Sequence, residues 1–286
     1  MAGLTSPTVR RRRLGSELRR LRDAAGLTLE HAAAALECSV SKVSRMETAR
    51  VLIRGRDVRD LLDLYGVRDE AVRDALLTLA RDARQQGWWH SAHSGVVPSW
   101  FEVYVELEAD ACDISGYEPQ FVPGLLQVAE YSRAVLAKGI GVARAQVEQG
   151  VALRLDRQRR LVADGSPALW FVVDEAVLRR PVGGADVMRG QLDRLLTTAD
   201  LTHVTLQVLP FSAGAYSGMG PAFSMLSFPD PADPTVVYVE QLFSGLYLEK
   251  AEEIERYTLA LNHLQAAALS PEDSIALIAK VAKEWA

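Results

Sequence analysis

The sequence has little of what marks a secreted, membrane-bound or metal-binding protein. It holds two cysteines, Cys38 and Cys112, without metal-ligand spacing, which favours a reducing cytoplasm over a disulfide framework or a zinc site. No apolar run approaches the ~18 residues that span a bilayer. The basic run 10–13 is not followed by the apolar segment of a signal peptide, so we expect a cytoplasmic protein without membrane contact.

Patterns typical of catalysis are also scarce. Four histidines lack metal-ligand spacing: His90, His93, His203 and His263. The glycines at 183–184 and 214–220 are accompanied by neither the Lys-Ser/Thr of a phosphate loop nor a dinucleotide pattern. Asp174 and Glu175 could be catalytic acids, although pairing of Glu175 with Arg179 one helical turn later is favoured. We therefore predict no enzyme activity, no catalytic residue, no cofactor and no metal.

Charge is distributed unevenly along the 286 residues, a length that predicts about two domains. Residues 1–87 carry a formal net charge of +5, and residues 88–286 carry −10. A basic segment on an acidic body favours a DNA-binding module attached to a unit that does not bind DNA. Ordinary surface variation is the alternative.

Residues 14–86 have the pattern of an all-α domain, preceded by a flexible basic arm at 1–13. Helical spacing of apolar residues and capping residues predict five short helices. These are Leu14–Ala25, a helix capped by Thr28, a helix capped by Ser39, one from Asp57 to Gly66 and one from Asp69 to Gln86. Short connections between them are typical of a compact bundle.

The segment Leu27–Glu47 is the most informative part of the chain, because it predicts two short helices joined by a tight turn. Its apolar positions can pack together, whereas four polar positions cannot join that core: Ser41, Lys42, Ser44 and Arg45. In a helix-turn-helix, one side of the helix pair is buried and the other side carries small polar and basic residues. This arrangement presents the recognition helix to DNA. The alternative is a small helical bundle used for protein contact.

The first 85 residues resemble the lambda-repressor-like (XRE-type) helix-turn-helix domains. The resemblance is carried by Leu18-Arg19-Arg20-Leu21-Arg22, Gly26-Leu27-Thr28, Ala32, Leu36 and Ser39-x-Ser41-x-Val43-Ser44-Arg45-x-Glu47. It implies an all-α five-helix fold that binds an operator in double-stranded DNA. In this pattern Glu47 is available to pair with a basic residue, namely Arg19, Arg20 or Arg22.

The same resemblance implies which side chains contact DNA. Base contacts are implied for Val40, Ser41 and Arg45, and Arg45 can bind guanine bidentately. Contacts to the DNA backbone are implied for a second set: Thr28, Lys42, Ser44, Arg50 and Arg54. The basic run 10–13 could contact the minor groove or only screen the phosphates.

Three positions depart from the usual pattern of these domains. Leu29 stands where glutamine is frequent, so a polar DNA contact is lost. Glu37 stands where the turn between the second and third helices often has glycine, and a left-handed conformation there would cost about 1 kcal/mol or more. Ala49 stands where glycine usually follows the third helix. Together these departures predict weaker or unusual operator binding.

An aromatic linker is predicted at 87–100, where the helical period breaks. Trp88, Trp89 and Trp100 are dense for a linker. A hydrophobic hinge packed between the domains is favoured over an interface for a partner protein, where tryptophan is enriched.

Residues 101–286 predict an α+β domain with a small, mostly antiparallel sheet. Alternating or continuous apolar segments predict strands at Leu169–Val173, Val204–Leu209, Phe223–Phe228 and Val236–Glu240. Helices are predicted at Glu102–Ile114, Val128–Lys138, Arg144–Val162, Met188–Ala199, Lys250–Leu269 and from Ser270 onward. The charged run 154–160 is interpreted as a solvated helix face rather than a DNA contact.

Residues 100–280 resemble the C-terminal domain of a large actinobacterial group of XRE-type regulators, which includes antitoxin-like and WhiJ-like proteins. The motifs that carry the resemblance include Tyr117-Glu118-Pro119-x-x-Val122-Pro123-Gly124-Leu125-Leu126-Gln127, Asp174-Glu175-Ala176-x-Leu178-Arg179, Val208-Leu209-Pro210-Phe211 and Val237-Tyr238-x-Glu240. It implies a regulator that binds a small protein encoded by a neighbouring gene. The first motif predicts a rigid turn and a candidate partner or ligand groove formed by Tyr117, Glu118, Pro119, Pro123 and Gln127.

Two functional hypotheses follow. The first is a sequence-specific transcriptional regulator that binds DNA as a homodimer and is controlled through its C-terminal domain by a small partner protein or a ligand. The second is an antitoxin-like protein whose main act is sequestering a small partner protein, with DNA binding secondary.

Overall fold

The structure is a computed structural model that describes residues 7–83, 97–163, 165–231 and 233–285. The chain forms two compact units, 1–92 and 93–286, and each is described by itself. Most of the predicted aromatic linker, including Trp88 and Trp89, lies outside the described residues. Trp100 belongs to a helix of the second unit.

The described part of the first unit is all-helical, as predicted. Its helices are α1 (Pro7–Ala24), α2 (Leu29–Ala35), α3 (Val40–Glu47), α4 (Gly55–Leu64) and α5 (Glu70–Asp82). The side chain of Ser39 accepts a hydrogen bond from the backbone N–H of Lys42 at 3.2 Å, which satisfies one of the free donors that begin a helix. The predicted Ser39 cap of α3 is therefore confirmed.

One buried cluster holds these helices together. Its fully buried members include Leu14 and Leu18 of α1, Val43 of α3 and Leu62 of α4. The backbones of α1 and α3 approach closely at Gly15, where an added Cβ would lie 2.7 Å from the carbonyl oxygens of Met46 and Glu47. Glycine at this position therefore sets how closely α3 packs against α1.

The predicted flexible arm is wrong from Pro7 onward, because these residues form the first turns of α1. Arg10 and Arg12 are buried, and Arg10 Nη1 donates to the carbonyl oxygen of Asp82 at 3.4 Å. Long basic side chains can pack their aliphatic stems against a neighbouring helix while the charged end finds an acceptor. Arg10 is therefore part of the α1–α5 contact rather than an arm free to enter a minor groove.

The second unit contains a six-stranded mixed sheet. Its strands are β1 (Asp113–Glu118), β2 (Ala168–Asp174), β3 (Val204–Leu209), β4 (Phe223–Ser227), β5 (Val236–Glu240) and β6 (Gly245–Leu248). The order is β3-β2-β1-β4-β5-β6. Only the pairs β1/β2 and β2/β3 are parallel, and the other three are antiparallel. The prediction of an α+β domain with a mostly antiparallel sheet is confirmed.

Helices cover both faces of this sheet. They are α6 (Ser99–Asp110), α7 (Ala129–Leu136), α8 (Arg144–Gln158), α9 (Glu175–Arg179), α10 (Ala185–Ala199), α11 (Ala251–Ala267) and α12 (Pro271–Glu284). Leu261 and Leu264 of α11 pack with Tyr117 and Phe223. On the opposite face, the ring of Tyr104 of α6 lies 4.5 Å from that of Tyr238. The two faces of β1 and β5 therefore meet different helices.

Two strands were not predicted, and one predicted helix is too long. The helix expected at Glu102–Ile114 ends at Asp110, and β1 begins at Asp113. Aspartate, serine and glycine are poor strand formers, so the sequence of β1 carries a weak strand signal. Gly116 is nevertheless needed there, because an added Cβ would lie 2.4 Å from the carbonyl oxygen of Phe223. The short edge strand β6 was also missed.

Candidate nucleic-acid interface and C-terminal groove

The third helix presents two different faces. Val43 and Met46 are fully buried in the core of the first unit. Val40, Ser41 and Arg45 are exposed. Because residues four apart share one face of a helix, Ser41 and Arg45 lie together on the outer side of α3, and Val40 is exposed beside them in its first turn.

A buried ion pair fixes the inner side of α3. Arg22 Nε donates to Glu47 Oε1 at 2.7 Å, and Arg22 Nη2 donates to Glu47 Oε2 at 2.9 Å. The remaining Nη1 donates to the carbonyl oxygen of Leu27 at 2.7 Å. The partner of Glu47 is therefore Arg22, one of the three predicted candidates, and this planar pair joins α1, the loop before α2 and the end of α3.

The residues predicted to contact the DNA backbone differ in their exposure and in whether they already have a partner within the protein. Lys42 Nζ lies 3.6 Å from Asp57 Oδ2, which offsets part of its charge. Arg50 and Arg54 are exposed, and Ser44 is partly buried. The Thr28 N–H already donates to His31 Nδ1 at 3.2 Å, so a phosphate would compete with a cap that is in place.

Two residues that flank α3 adopt a left-handed backbone. Glu37 precedes the helix with φ of 48°, and Ala49 follows it with φ of 56°. Both residues stand at positions where the resemblance to XRE-type domains predicts glycine. A side chain in this region costs roughly 1–2 kcal/mol relative to glycine, so the turn on each side of the recognition helix is strained.

The predicted C-terminal groove does not form one surface. Tyr117, Pro123 and Gln127 are buried, and only Glu118 and Pro119 are partly accessible. Tyr117 and Glu118 are neighbours in a strand, so their side chains point to opposite faces of the sheet. The hydroxyl of Tyr117 is hydrogen bonded to that of Tyr216, on the face covered by α11.

Buried amide side chains hold the turn after β1. Gln127 Nε2 donates to the carbonyl oxygen of Val122 at 2.6 Å. Its Oε1 accepts hydrogen bonds from Ser132 Oγ at 3.0 Å and from Arg154 Nη1 at 2.5 Å. Gln158 and Gln191 donate to other carbonyl groups of the same turn. The rigid turn predicted from its prolines is therefore also fixed by hydrogen bonds from α8 and α10.

Charged residues from distant parts of the chain meet beside this turn. Arg157 forms a bidentate pair with Glu108 in which both side chains are buried. Arg154 is partly buried one turn earlier on the same helix. The prediction of a solvated helix face over 154–160 is therefore wrong at Arg157, which is buried, and at Arg154, which is partly buried. The spacing of Arg154 and Arg157 placed both on one face of α8, but nothing in the sequence indicated Glu108 as a partner.

Two carboxylates complete this charged group. Burial, with a smaller contribution from the charge of Glu240, raises the pKa of Glu118 from its usual 4.5 to about 8. Burial also raises the pKa of Glu240, although its side chain is exposed to solvent. The sequence predicted Glu118 as part of a groove, but its patterns assigned no site role to Glu240 or Arg154.

The acids at the end of β2 have structural partners. Glu175 Oε1 accepts a hydrogen bond from Arg179 Nε at 2.7 Å, as predicted, and its Oε2 accepts one from the N–H of Phe211 at 2.9 Å. Asp174 caps α9 through the N–H of Ala176. Within the described ranges, no group of three or more His, Cys, Asp or Glu residues could hold a metal ion. No helix in this part of the chain is long and apolar enough to cross a membrane.

The geometry of α2 and α3 defines a helix-turn-helix protein, and comparison with known families agrees. Residues 13–76 match the helix-turn-helix domain family, which supports a DNA-binding regulator. Residues 101–280 match a domain of unknown function, DUF5753. Since this match covers more than half of the chain, the protein belongs to the DUF5753 family. No curated protein matches the chain, and no solved structure matches it.

Proposed function

We propose that this protein is a sequence-specific transcriptional regulator that acts in the cytoplasm and reads its operator through α3. The observation that carries the proposal is the exposed set Val40, Ser41 and Arg45 on a helix whose other side is fixed by Arg22 and Glu47. A rigid helix that presents a small polar residue and an arginine fits a DNA major groove.

The protein acts as a homodimer in this proposal. Of the three outward residues, only Arg45 can form a strong bidentate pair with a base, so one copy of α3 reads few base pairs. Helix-turn-helix dimers solve this by reading two half-sites one turn of DNA apart. The C-terminal unit supplies dimerisation and control by a small partner protein or a ligand. The resemblance of residues 100–280 to antitoxin-like and WhiJ-like regulators supports this role.

Titration of the protein against DNA from upstream of its own gene tests the DNA-reading role. Arg45→Ala is expected to lose about 1–3 kcal/mol of discrimination between operator and competitor DNA. Arg81→Ala is the matched control, because Arg81 is an exposed arginine of α5 and its removal changes the net charge equally. An Arg45→Ala protein that binds as tightly and selectively as the parent contradicts the assigned recognition face.

The acidic C-terminal part favours one second candidate. Residues 88–286 carry a formal charge of −10, which suits sequestration of a small basic protein. In that case the protein is antitoxin-like, and DNA binding is secondary. Co-purification with the product of the neighbouring gene tests this candidate. Absence of association at about micromolar concentration, the range of weak specific complexes, contradicts it.

A further inference from the structure

The two edges of the six-stranded sheet differ in whether their outward backbone groups are paired. At the β3 edge, the carbonyl oxygen of Val208 accepts a hydrogen bond from the N–H of Leu269 at 2.9 Å. The N–H of Val208 donates to Ser274 Oγ at 2.9 Å. The β3 edge is therefore closed by the residues that join α11 to α12 and by the first turn of α12. No hydrogen bond from another described residue closes the β6 edge in this way.

The hydrogen bonds of the β5–β6 hairpin show which backbone groups of β6 point outward. The N–H of Gln241 donates to the carbonyl oxygen of Ser244 at 2.8 Å. Hydrogen-bonded and non-hydrogen-bonded pairs alternate along antiparallel strands, so Leu246, two residues after Ser244, also bonds to β5. The N–H and C=O groups of Gly245 and Tyr247 therefore point away from β5. Among the described residues, these groups have no hydrogen-bond partner.

The β5–β6 hairpin lacks the features that usually protect an open edge. Charged residues and proline keep natural edge strands from pairing with other chains, but residues 241–248 include neither. Two-residue hairpin loops favour Asn, Asp and Gly, whereas this loop consists of Leu242 and Phe243, which are 74% and 71% exposed. Leu246 is 45% exposed, although its register partner Val239 is buried. The apolar surface thus extends from the core to the edge of the sheet.

We propose that two copies of this chain pair through β6, as antiparallel strands related by a twofold axis at Leu246. In this register Gly245 of one protomer lies opposite the partner's Tyr247, and the two residues exchange N–H···O=C hydrogen bonds. The axis repeats this pair, so every outward backbone group of both β6 strands is satisfied. The two six-stranded sheets then form one continuous sheet, which is the strand-addition mode of recognition.

The residue on the axis favours a second copy as the partner, because it must lie opposite its own equivalent. Leu246 forms a non-hydrogen-bonded pair there, with Cα atoms about 4.5 Å apart and the side chains in contact. A charged residue at this position would repel its equivalent, whereas leucine continues the apolar row that begins at Val239. Such an isologous contact is complete with two copies, and the closed β3 edge does not admit a third.

The inference rests on the proposed function, because it names the surface that supplies the proposed homodimer. Two copies of α3 are needed to read two half-sites of an operator. The β6 contact is formed by the C-terminal unit alone, so it exists without DNA. Association can therefore be measured separately from DNA reading.

The first experiment measures the dimer of the full chain without DNA, by sedimentation velocity and light scattering. Leu246→Glu and Leu246→Lys each place like charges opposite one another on the axis, and each is expected to raise the Kd of the dimer about tenfold or more. An equimolar mixture of the two variants restores the dimer, because opposite charges then face each other. This restoration also shows that both variants are folded. Leu259→Glu is the matched control, because Leu259 is a 57% exposed leucine of α11; it leaves the Kd unchanged.

A cross-link tests the register of the two strands. The starting protein carries Cys38→Ser and Cys112→Ser, which remove both native thiols. Facing cysteines in a non-hydrogen-bonded pair have a Cα separation that suits a disulfide. Leu246→Cys is therefore expected to give a covalent dimer on mild oxidation, and Leu259→Cys is expected to remain without a cross-link.

The failure of this inference can be told apart from the failure of the proposed function. A parent chain that stays monomeric up to about 100 μM, the range of weak association, overturns the β6 contact. A parent dimer with the same Kd in Leu246→Glu and Leu246→Lys and without a Leu246→Cys cross-link also overturns it. Both results leave the Arg45 test of DNA reading in place. A dimer that depends on Leu246 but binds no DNA selectively supports the β6 contact and contradicts the regulator.

Discussion

Arg157 and Glu108 form a bidentate ion pair in the interior of the C-terminal unit. The distances are 2.7 Å from Nε to Oε1 and 2.6 Å from Nη2 to Oε2. The guanidinium carbon also lies 5.4 Å and 5.6 Å from the ring centres of Phe101 and Tyr104. The pair thus ties α8 to α6 and adds a cation–π contact.

Breaking this pair should strongly destabilise the C-terminal unit. Glu108→Gln leaves the Arg157 charge buried without its counter-charge, so we expect a loss of about 3–5 kcal/mol in the free energy of unfolding. Urea titration followed by circular dichroism measures it, and the exposed Glu272→Gln is the control. A loss below about 1 kcal/mol, typical of surface pairs, contradicts the assigned role.

Replacing the two residues with a left-handed backbone by glycine should stabilise the helix-turn-helix. Glu37→Gly and Ala49→Gly each remove a side chain from a positive-φ position, and we expect a gain of about 1 kcal/mol for each in the N-terminal unfolding transition. Ala34→Gly in the last turn of α2 is the control and should cost up to about 1 kcal/mol. If all three substitutions lower the free energy of unfolding by the same amount, the backbone at Glu37 and Ala49 is not strained.

Adding a methyl group at Gly15 should separate α1 from α3. The new Cβ would meet two carbonyl oxygens at 2.7 Å, and backbone atoms cannot move aside as a flexible side chain can. We expect Gly15→Ala to destabilise the N-terminal unit by about 1–3 kcal/mol. Gly190→Ala in α10 is the control, since nothing lies within 4 Å of its Cβ position; there alanine should stabilise by about 1 kcal/mol.

The raised pKa of Glu118 should appear in the pH dependence of stability. Its pKa of about 8 exceeds the usual 4.5, so its contribution is fully present below pH 4.5 and is lost as the pH rises through 8. The difference in unfolding free energy between the parent and Glu118→Gln should change by about 2–4 kcal/mol across this window. A difference that does not vary between these pH values contradicts burial of the Glu118 carboxyl group.

Much of the N-terminal unit could be read from its sequence, because its signals are local. Helical spacing located α2 and α3, the Ser39 cap marked where α3 begins, and Glu37 and Ala49 were recognised as replacements for glycine. The error lay in the first turns of α1. A run of four arginines indicates an exposed arm, and only packing against α5 shows that Arg10 is buried.

In the C-terminal unit the sequence determined the class of fold and four of the six strands, since buried apolar segments of β2 to β5 have clear patterns. It did not determine β1, whose Gly116 matters only because β4 lies against it. Nor could it bring Glu118, Glu240 and Arg154 together. These residues come from separate strands and a helix, and sheet register together with the placement of α8 decides their distance. By itself the sequence determined the reading helix, whereas only the tertiary structure decided which charged side chains from distant segments come together.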